Sequence, residues 1–274
     1  MRIPANAIYE KTSEKNVCNI CLQLQSEELT RDHVPPLSSL RDEDDRRERR
    51  RDIGRVSIEP LFSRADRPQY SQCGIRYKTI CAACNNDRLG VDYDPALIEM
   101  CRQADRLHRN HRLLIRPPCV EIDPGKVLRA IFGHLLAAKT TTPRTMPEEQ
   151  MRAFFSDPAS TDLGELRVLY WAHPDKSIRL MRSTYLFDFE TRTGSFCDLL
   201  IWYPLGFLVC DKPPFDMVSL DHYVGLPNPT QVPLRALASG VFERWFNRMA
   251  KVTGGDEDVA IRADGPRRLP KWRR

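Results

Sequence analysis

Asp32 and His33 stand side by side in the phrase LTRDHVPPL, between two Cys-x-x-Cys pairs, Cys18/Cys21 in CNIC and Cys81/Cys84 in CAAC. A carboxylate binds hard cations, an imidazole exchanges a proton near neutral pH, and a thiolate quartet holds a softer metal. Each cysteine knuckle presents two thiolates, and two knuckles complete a closed tetrahedral site for which zinc is the expected ion. Because a closed site has no open coordination position, it fastens the chain and does not react. Asp32, His33 and Asn85, which directly follows the last cysteine, are left to carry any chemistry. An ion such as magnesium takes a few oxygen ligands and keeps several waters, and a carboxylate with a side-chain amide meets that demand. Plainer readings stand beside this one. Asp32-His33 can be a turn whose carboxylate accepts backbone hydrogen bonds, and Asn85 or its neighbour Asn86 can cap a helix. Thioredoxin-like redox chemistry needs a strand-helix unit that neither cysteine pair has around it.

Successive residues of a strand face opposite ways, so Asp32 and His33 can address one site only where the strand ends or bulges. Val34-Pro35-Pro36 ends it. VCNICLQL and RYKTICAAC read as strands or knuckles. A helix should follow Pro95, with Leu97, Ile98, Cys101, Ala104, Leu107 and His108 on one face, and Gly90 and Asp94-Pro95 should break its start into a separate short turn. Asn85 then opens the helical region, and the metal that staples the unit also brings this amide to the strand end. His108 and His111, three apart, read as a solvated basic face. Cys73 is a weaker competitor for the metal, and Cys101, Cys119, Cys197 and Cys210 read as small buried residues. Asp221-His222 has no cysteine frame and reads as a loop.

Residues 37–70 differ in composition, with six arginines and five acids in 41–51, and are expected to be an insertion: a solvated charged segment or an arm that contacts phosphates. Residues 1–116 thus form a first unit. IRPPCVEIDPG reads as a linker, and residues 117–252 as a second unit. There KVLRAIFGHLLAAK and TMPEEQMRAFF have helical spacing, residues 166–211 suggest an antiparallel meander with turns at Pro174-Asp175 and at 192–194, and PLRALASGVFERWFNRMAKV reads as a closing helix. The basic tail, 253–274, is expected to be disordered. No internal repeat is present.

The 274 residues allow one large domain or two modest ones, of which two are expected, and a formal net charge of +5 is compatible with a polyanionic partner without specifying one. No run approaches the roughly 18 apolar residues of a membrane span, and the amino terminus lacks the apolar stretch of a signal peptide. A cytoplasmic, reducing location is expected. There nine cysteines favour metal ligation over a disulfide framework.

CNIC, LTRDHVPP and CAACNNDRLG, in this order over roughly residues 16–95, resemble the HNH endonucleases of the ββα-metal type, in particular the branch with two cysteine knuckles and an EHVPP-like phrase. The resemblance implies a zinc-stapled ββα-metal (HNH) finger at the amino terminus; with the helices and meander read above for residues 117–252, the expected fold is α+β, the finger followed by a second α+β domain with an antiparallel meander. It also implies that Asp32 and Asn85 bind a catalytic divalent cation, Mg2+ or Mn2+, that His33 is the general base, and that Cys18, Cys21, Cys81 and Cys84 hold structural Zn2+. Arg88, one turn beyond Asn85, is expected to contact a phosphate. DNA is the expected substrate ahead of RNA, with a regulatory protein or a second copy of the chain as partner, as in effectors of bacterial anti-phage or restriction systems. One departure from the family stands out: no asparagine lies between His33 and Cys84, so either Gln69, Gln72 or a backbone group braces the loop, or the long insertion holds it differently. A non-catalytic zinc module that binds nucleic acid or protein is the alternative; it would need the cysteines but neither Asp32 nor His33.

Overall fold

A computed structural model describes residues 9–13, 15–36, 56–60, 69–71, 75–110, 117–140, 145–175, 178–188, 192–214, 216–237, 241, 245, 249–253 and 261–264. The architecture is mixed α+β. Near the amino terminus β1 (Tyr9–Thr12), β2 (Thr30–His33) and β5 (Ile75–Ile80) form a three-stranded sheet in the order β1-β5-β2, with β5 parallel to β1 and antiparallel to β2. β5 alternates faces: Ile75, Tyr77 and Thr79 turn inward, while Arg76 and Lys78 stay partly exposed. After Cys81 the chain enters wide π-type turns, Ala83–Tyr93, that run directly into α1 (Asp94–Arg109). Gly90 therefore does not interrupt the helical region, and Asp94-Pro95 marks the change from π-type turns to α-helix, with Pro95 in the first turn of α1. The face expected for α1 buries Leu97, Cys101 and Ala104, and Met100 joins them.

α2 (Pro124–Ala137) begins where Asp123 Oδ1 accepts from the Lys126 N–H at 3.0 Å. It is buried nearly all round, as a helix at the centre of a fold must be. α3 (Met146–Ser156) starts with a capping box in which Thr145 and Glu148 satisfy each other's backbone N–H groups. At Gly133 of α2 a Cβ would lie 2.6 Å from Leu89 and 2.8 Å from Phe155. Only glycine lets α2 approach the π-type turns and α3 so closely, and that approach carries His134 toward Asp94.

A large sheet follows the order β4-β3-β13-β8-β9-β10-β7, with β12 also on β8. Its strands are β3 (Val56–Pro60), β4 (Gln69–Ser71), β7 (Arg167–Ala172), β8 (Ile178–Asp188), β9 (Thr193–Trp202), β10 (Leu205–Cys210), β12 (Met249–Thr253) and β13 (Ile261–Asp264). β8, β9 and β10 form the expected meander, whereas β7 closes against β10 and not against its sequence neighbour β8. β6 (Cys119–Ile122) and β11 (Thr230–Pro233) make a separate pair.

Three expectations change. The insertion, 37–70, supplies β3 and part of β4, while its arginine-rich core, 41–51, lies outside the described residues. In the segment expected to be the closing helix, residues 241 and 245 are helical but Met249–Thr253 is a strand on β8; the rest of it falls largely outside the described residues. The tail expected to be disordered contains β13, paired with both β3 and β8. The main core runs from Cys18 and Tyr77 through α1, α2 and α3 to Val168 and Phe207. No helix among the described residues is long and apolar enough to cross a membrane.

Candidate metal centre and active-site cleft

Cys18, Cys21, Cys81 and Cys84 come together with all four sulfurs within 4.8 Å of one another. Tetrahedral zinc with Zn–S bonds of about 2.3 Å requires sulfurs about 3.8 Å apart, and Cys21 Sγ lies 3.9 Å from Cys81 Sγ. The cluster can hold a metal ion such as zinc. Crowding separates the thiols: a hydrogen bond from Cys84 holds Cys18 down at about 4 and pushes Cys84 itself up, while burial pushes Cys21 up to about 11. All four ionise together only if a cation joins them. Among the described residues no other group of three or more His, Cys, Asp and Glu brings its ligand atoms together this way. Cys73 lies outside the described residues, and Cys119 is exposed, not buried as expected.

The knuckle is docked on the end of α2. Asn19 Nδ2 donates to Leu136 O at 3.2 Å and Lys139 O at 2.5 Å, and Thr79 Oγ1 donates to Ala137 O at 2.5 Å. These bonds satisfy carbonyls that a helix C-terminus leaves without partners.

Beside it opens a cleft of about 530 Å³ lined by Arg31, Asp32, His33, Asn85, Asn86, Asp94 and His134, with Pro36, Gly90 and Val91 completing the wall. Asp32, His33 and Asn85 therefore meet at one cleft. Asn85 Nδ2 spends both hydrogens on the first two residues of β2, on Thr30 Oγ1 and Arg31 O at 3.0 Å each, which leaves its amide oxygen as the ligand it can offer. Asp32 turns to the buried face and His33 to the polar face, as strand alternation requires. Arg76 Nε donates to His33 Nε2 at 2.9 Å.

Arg88 does not line this cleft. Its guanidinium donates to Ser156 O at 3.3 Å, at the end of α3, because the π-type turns rotate it away from Asn85. Arg31 is the arginine that lines the cleft, and it pairs with Glu10 at 2.5 Å. His108 belongs to no metal cluster among the described residues and is not fully solvated: its ring packs on Tyr203 and its Nε2 meets Pro204 O at 3.2 Å. His111 lies outside the described residues. Asp221-His222 falls in a 3-10 turn, where Asp221 accepts from the Val168 N–H.

Two site residues were not read from the sequence. His134 Nδ1 lies 2.9 Å from Asp32 Oδ2 and its Nε2 lies 2.9 Å from Asp94 Oδ1. A ring flanked by carboxylates on both nitrogens donates twice only as an imidazolium. Burial alone would lower His134, but Asp32 and Asp94 together carry it up to about 10. Asp32 is raised by burial, against the pull of His134. The only sequence signal was a lone histidine in the apolar run IFGHLLAA.

Compared with known protein families, with characterised proteins and with solved structures, the chain shows no significant match.

Proposed function

We propose that the protein is a metal-dependent endonuclease of the HNH type that hydrolyses phosphodiester bonds in DNA, with structural zinc in the cysteine cluster. One observation carries this reading: Asp32, His33 and Asn85 line a single cleft next to the four cysteines. A divalent cation held by Asp32 and Asn85, Mg2+ or Mn2+, would neutralise charge on the phosphate and on the leaving 3′ oxygen. His33 takes a proton from the attacking water, whose oxygen bonds to phosphorus as the P–O3′ bond breaks; the leaving 3′ oxygen takes a proton from solvent water, giving a 3′ hydroxyl and a 5′ phosphate. Arg31 replaces Arg88 as the phosphate contact from the cleft wall. Few base-reading groups line so small a site, so a sequence preference would come from a partner or from the rest of the chain. A gated effector of an anti-phage or restriction system fits that arrangement.

A second reading, a zinc module that binds without catalysis, is favoured by the pairing of Asp32 with His134 and of His33 with Arg76. Supercoiled plasmid, incubated with magnesium or manganese and wild-type protein or His33→Ala at equal zinc content, separates the two. Nicking by wild type and a loss of about 10²- to 10⁴-fold in the variant are expected. Equal cleavage by both proteins refutes His33 as the base, and equal DNA binding with no cleavage supports the module.

A further inference from the structure

Asp32 reaches the cleft with one oxygen already engaged. Its Oδ2 accepts from His134 Nδ1 at 2.9 Å, and the same ring donates from Nε2 to Asp94 Oδ1 at 2.9 Å. The carboxylate's further bond comes from the His33 backbone N–H, so among the described residues no second side chain competes with a cation for Oδ1. The ring that holds Oδ2 has no room to swing. His134 is fully buried on α2, its neighbour Gly133 packs against Leu89 and Phe155, and a carboxylate stands at each ring nitrogen. A set of buried charges adds little net stability over apolar side chains of the same size, so its presence calls for a role beyond holding the fold. All three residues line the cleft, together with Asn85. A carboxylate that binds a metal must present its free oxygen at a fixed place, and a hydrogen bond to the other oxygen is the usual means. Two carboxylates to one ring leave the set anionic, so it still draws a cation.

We propose that His134 is a positioning residue for the cleft cation: Nδ1 fixes Asp32 so that Oδ1 is offered to the metal, and Asp94 fixes the ring through Nε2. The role rests on the reading of Asp32 as a cation ligand, which the test checks separately.

The probe is Mn2+, titrated without DNA into the full-length, zinc-loaded protein and followed by the electron paramagnetic resonance of the free ion. An asparagine side chain places its nitrogen where Nδ1 stands, and a glutamine places its nitrogen where Nε2 stands. His134→Asn therefore keeps the bond to Asp32 and gives up Asp94, while His134→Gln does the reverse. Wild type should bind Mn2+ in the cleft, and Asp32→Asn should bind it at least about tenfold more weakly. His134→Gln should lose about 10- to 100-fold in Mn2+ affinity, and His134→Asn should recover most of that loss. Asp94→Ala should lose about tenfold, and Asp94→Asn, which keeps an acceptor for Nε2, should recover it. A histidine that only supports the fold would cost His134→Asn and His134→Gln alike, and either that result or wild-type affinity in both overturns the proposal. If the His134 variants do not keep their zinc, the Asp94 pair decides: wild-type affinity in Asp94→Ala overturns it. When Asp32→Asn is impaired in either of these cases, Asp32 stands as a ligand and the positioning role falls alone. An Asp32→Asn protein that binds Mn2+ as tightly as wild type brings down both.

Discussion

Replacing Glu148 with glutamine should destabilise the protein by about 3–5 kcal/mol at pH 7, because this carboxylate anchors a buried charge network. Glu148 Oε1 receives Lys139 Nζ at 2.6 Å, Ser183 Oγ at 2.7 Å and Arg182 at 3.4 Å, and Oε2 meets Arg152 at 3.4 Å. Arg182 in turn pairs with Asp198 of β9. Burial works against the charged carboxylate, but Arg182 and Lys139 outweigh it and hold Glu148 down at about 2, against 4.5 for a free side chain. That difference corresponds to about 3 kcal/mol. Burial also lowers Lys139 and takes Arg182 to about 10, so part of the gain is returned within the network. Glutamine keeps the shape and can still serve the capping box at Thr145, so the change isolates the charge. Urea unfolding can be followed through the buried Trp171, Trp202 and Trp245. With a slope of roughly 3 kcal/mol per molar, the midpoint should drop by about 1 M or more. The sign with pH is fixed as well: a depressed carboxylate stabilises above its unfolded value and loses that contribution as pH falls through its folded value. The gap between wild type and Glu148→Gln should therefore be full above pH 4.5 and close toward pH 2. A gap under about 1 kcal/mol at pH 7, or one that stays constant down to pH 2, would refute the reasoning.

Two further outcomes follow from the site. One metal ion per chain should bind at Cys18, Cys21, Cys81 and Cys84, cobalt substituted there should give a tetrahedral thiolate spectrum, and Cys84→Ser should lose both. His134→Ala should cost about 3–5 kcal/mol in denaturant unfolding, because Asp32, only 5% exposed, loses its partner while Asp94 loses another; a cost under about 1 kcal/mol would mean that Asp32 is satisfied elsewhere.

What the sequence disclosed was local in origin. Two Cys-x-x-Cys knuckles carry their geometry in their own spacing, and the helices α2 and α3 announce themselves through Asp123, Thr145 and apolar periodicity. Asp32, His33 and Asn85 could be placed together because the first two lie between cysteine pairs that must meet and Asn85 directly follows the last cysteine. His134 had no such frame. It lies 102 residues from Asp32 in sequence, and a histidine inside an apolar helix looks the same whether it meets a carboxylate or a backbone carbonyl. Asp94 was read as a helix breaker, yet the π-type turns carry the helix through it. The strand at Met249–Thr253 was hidden by helical spacing in the residues before it, and β13 by the charge around it. Both are fixed by pairing with β8, and strand pairing across such distances leaves no local mark.

α2 links the two candidate sites more closely than their sequence separation suggests. Its last carbonyls take hydrogen bonds from Asn19, within the first cysteine knuckle, and from Thr79, two residues before Cys81. One turn earlier the same helix presents His134 to Asp32 and Asp94 in the cleft. Arg152 of α3 adds a bond to Asn19 O at 2.8 Å and another to Glu148, so the knuckle is tied through α3 to the charge network under β8 and β9. A displacement of α2 along its axis would disturb the metal cluster's support and the Asp32 carboxylate together, since both are bonded to the same rigid element. The cysteine unit can therefore be expected to hold its cleft in working order only while the helices and the large sheet stay packed against it. Glu148, bonded to Arg182 and Ser183 of β8 and to Lys139 just beyond α2, joins that sheet to the helix that carries His134.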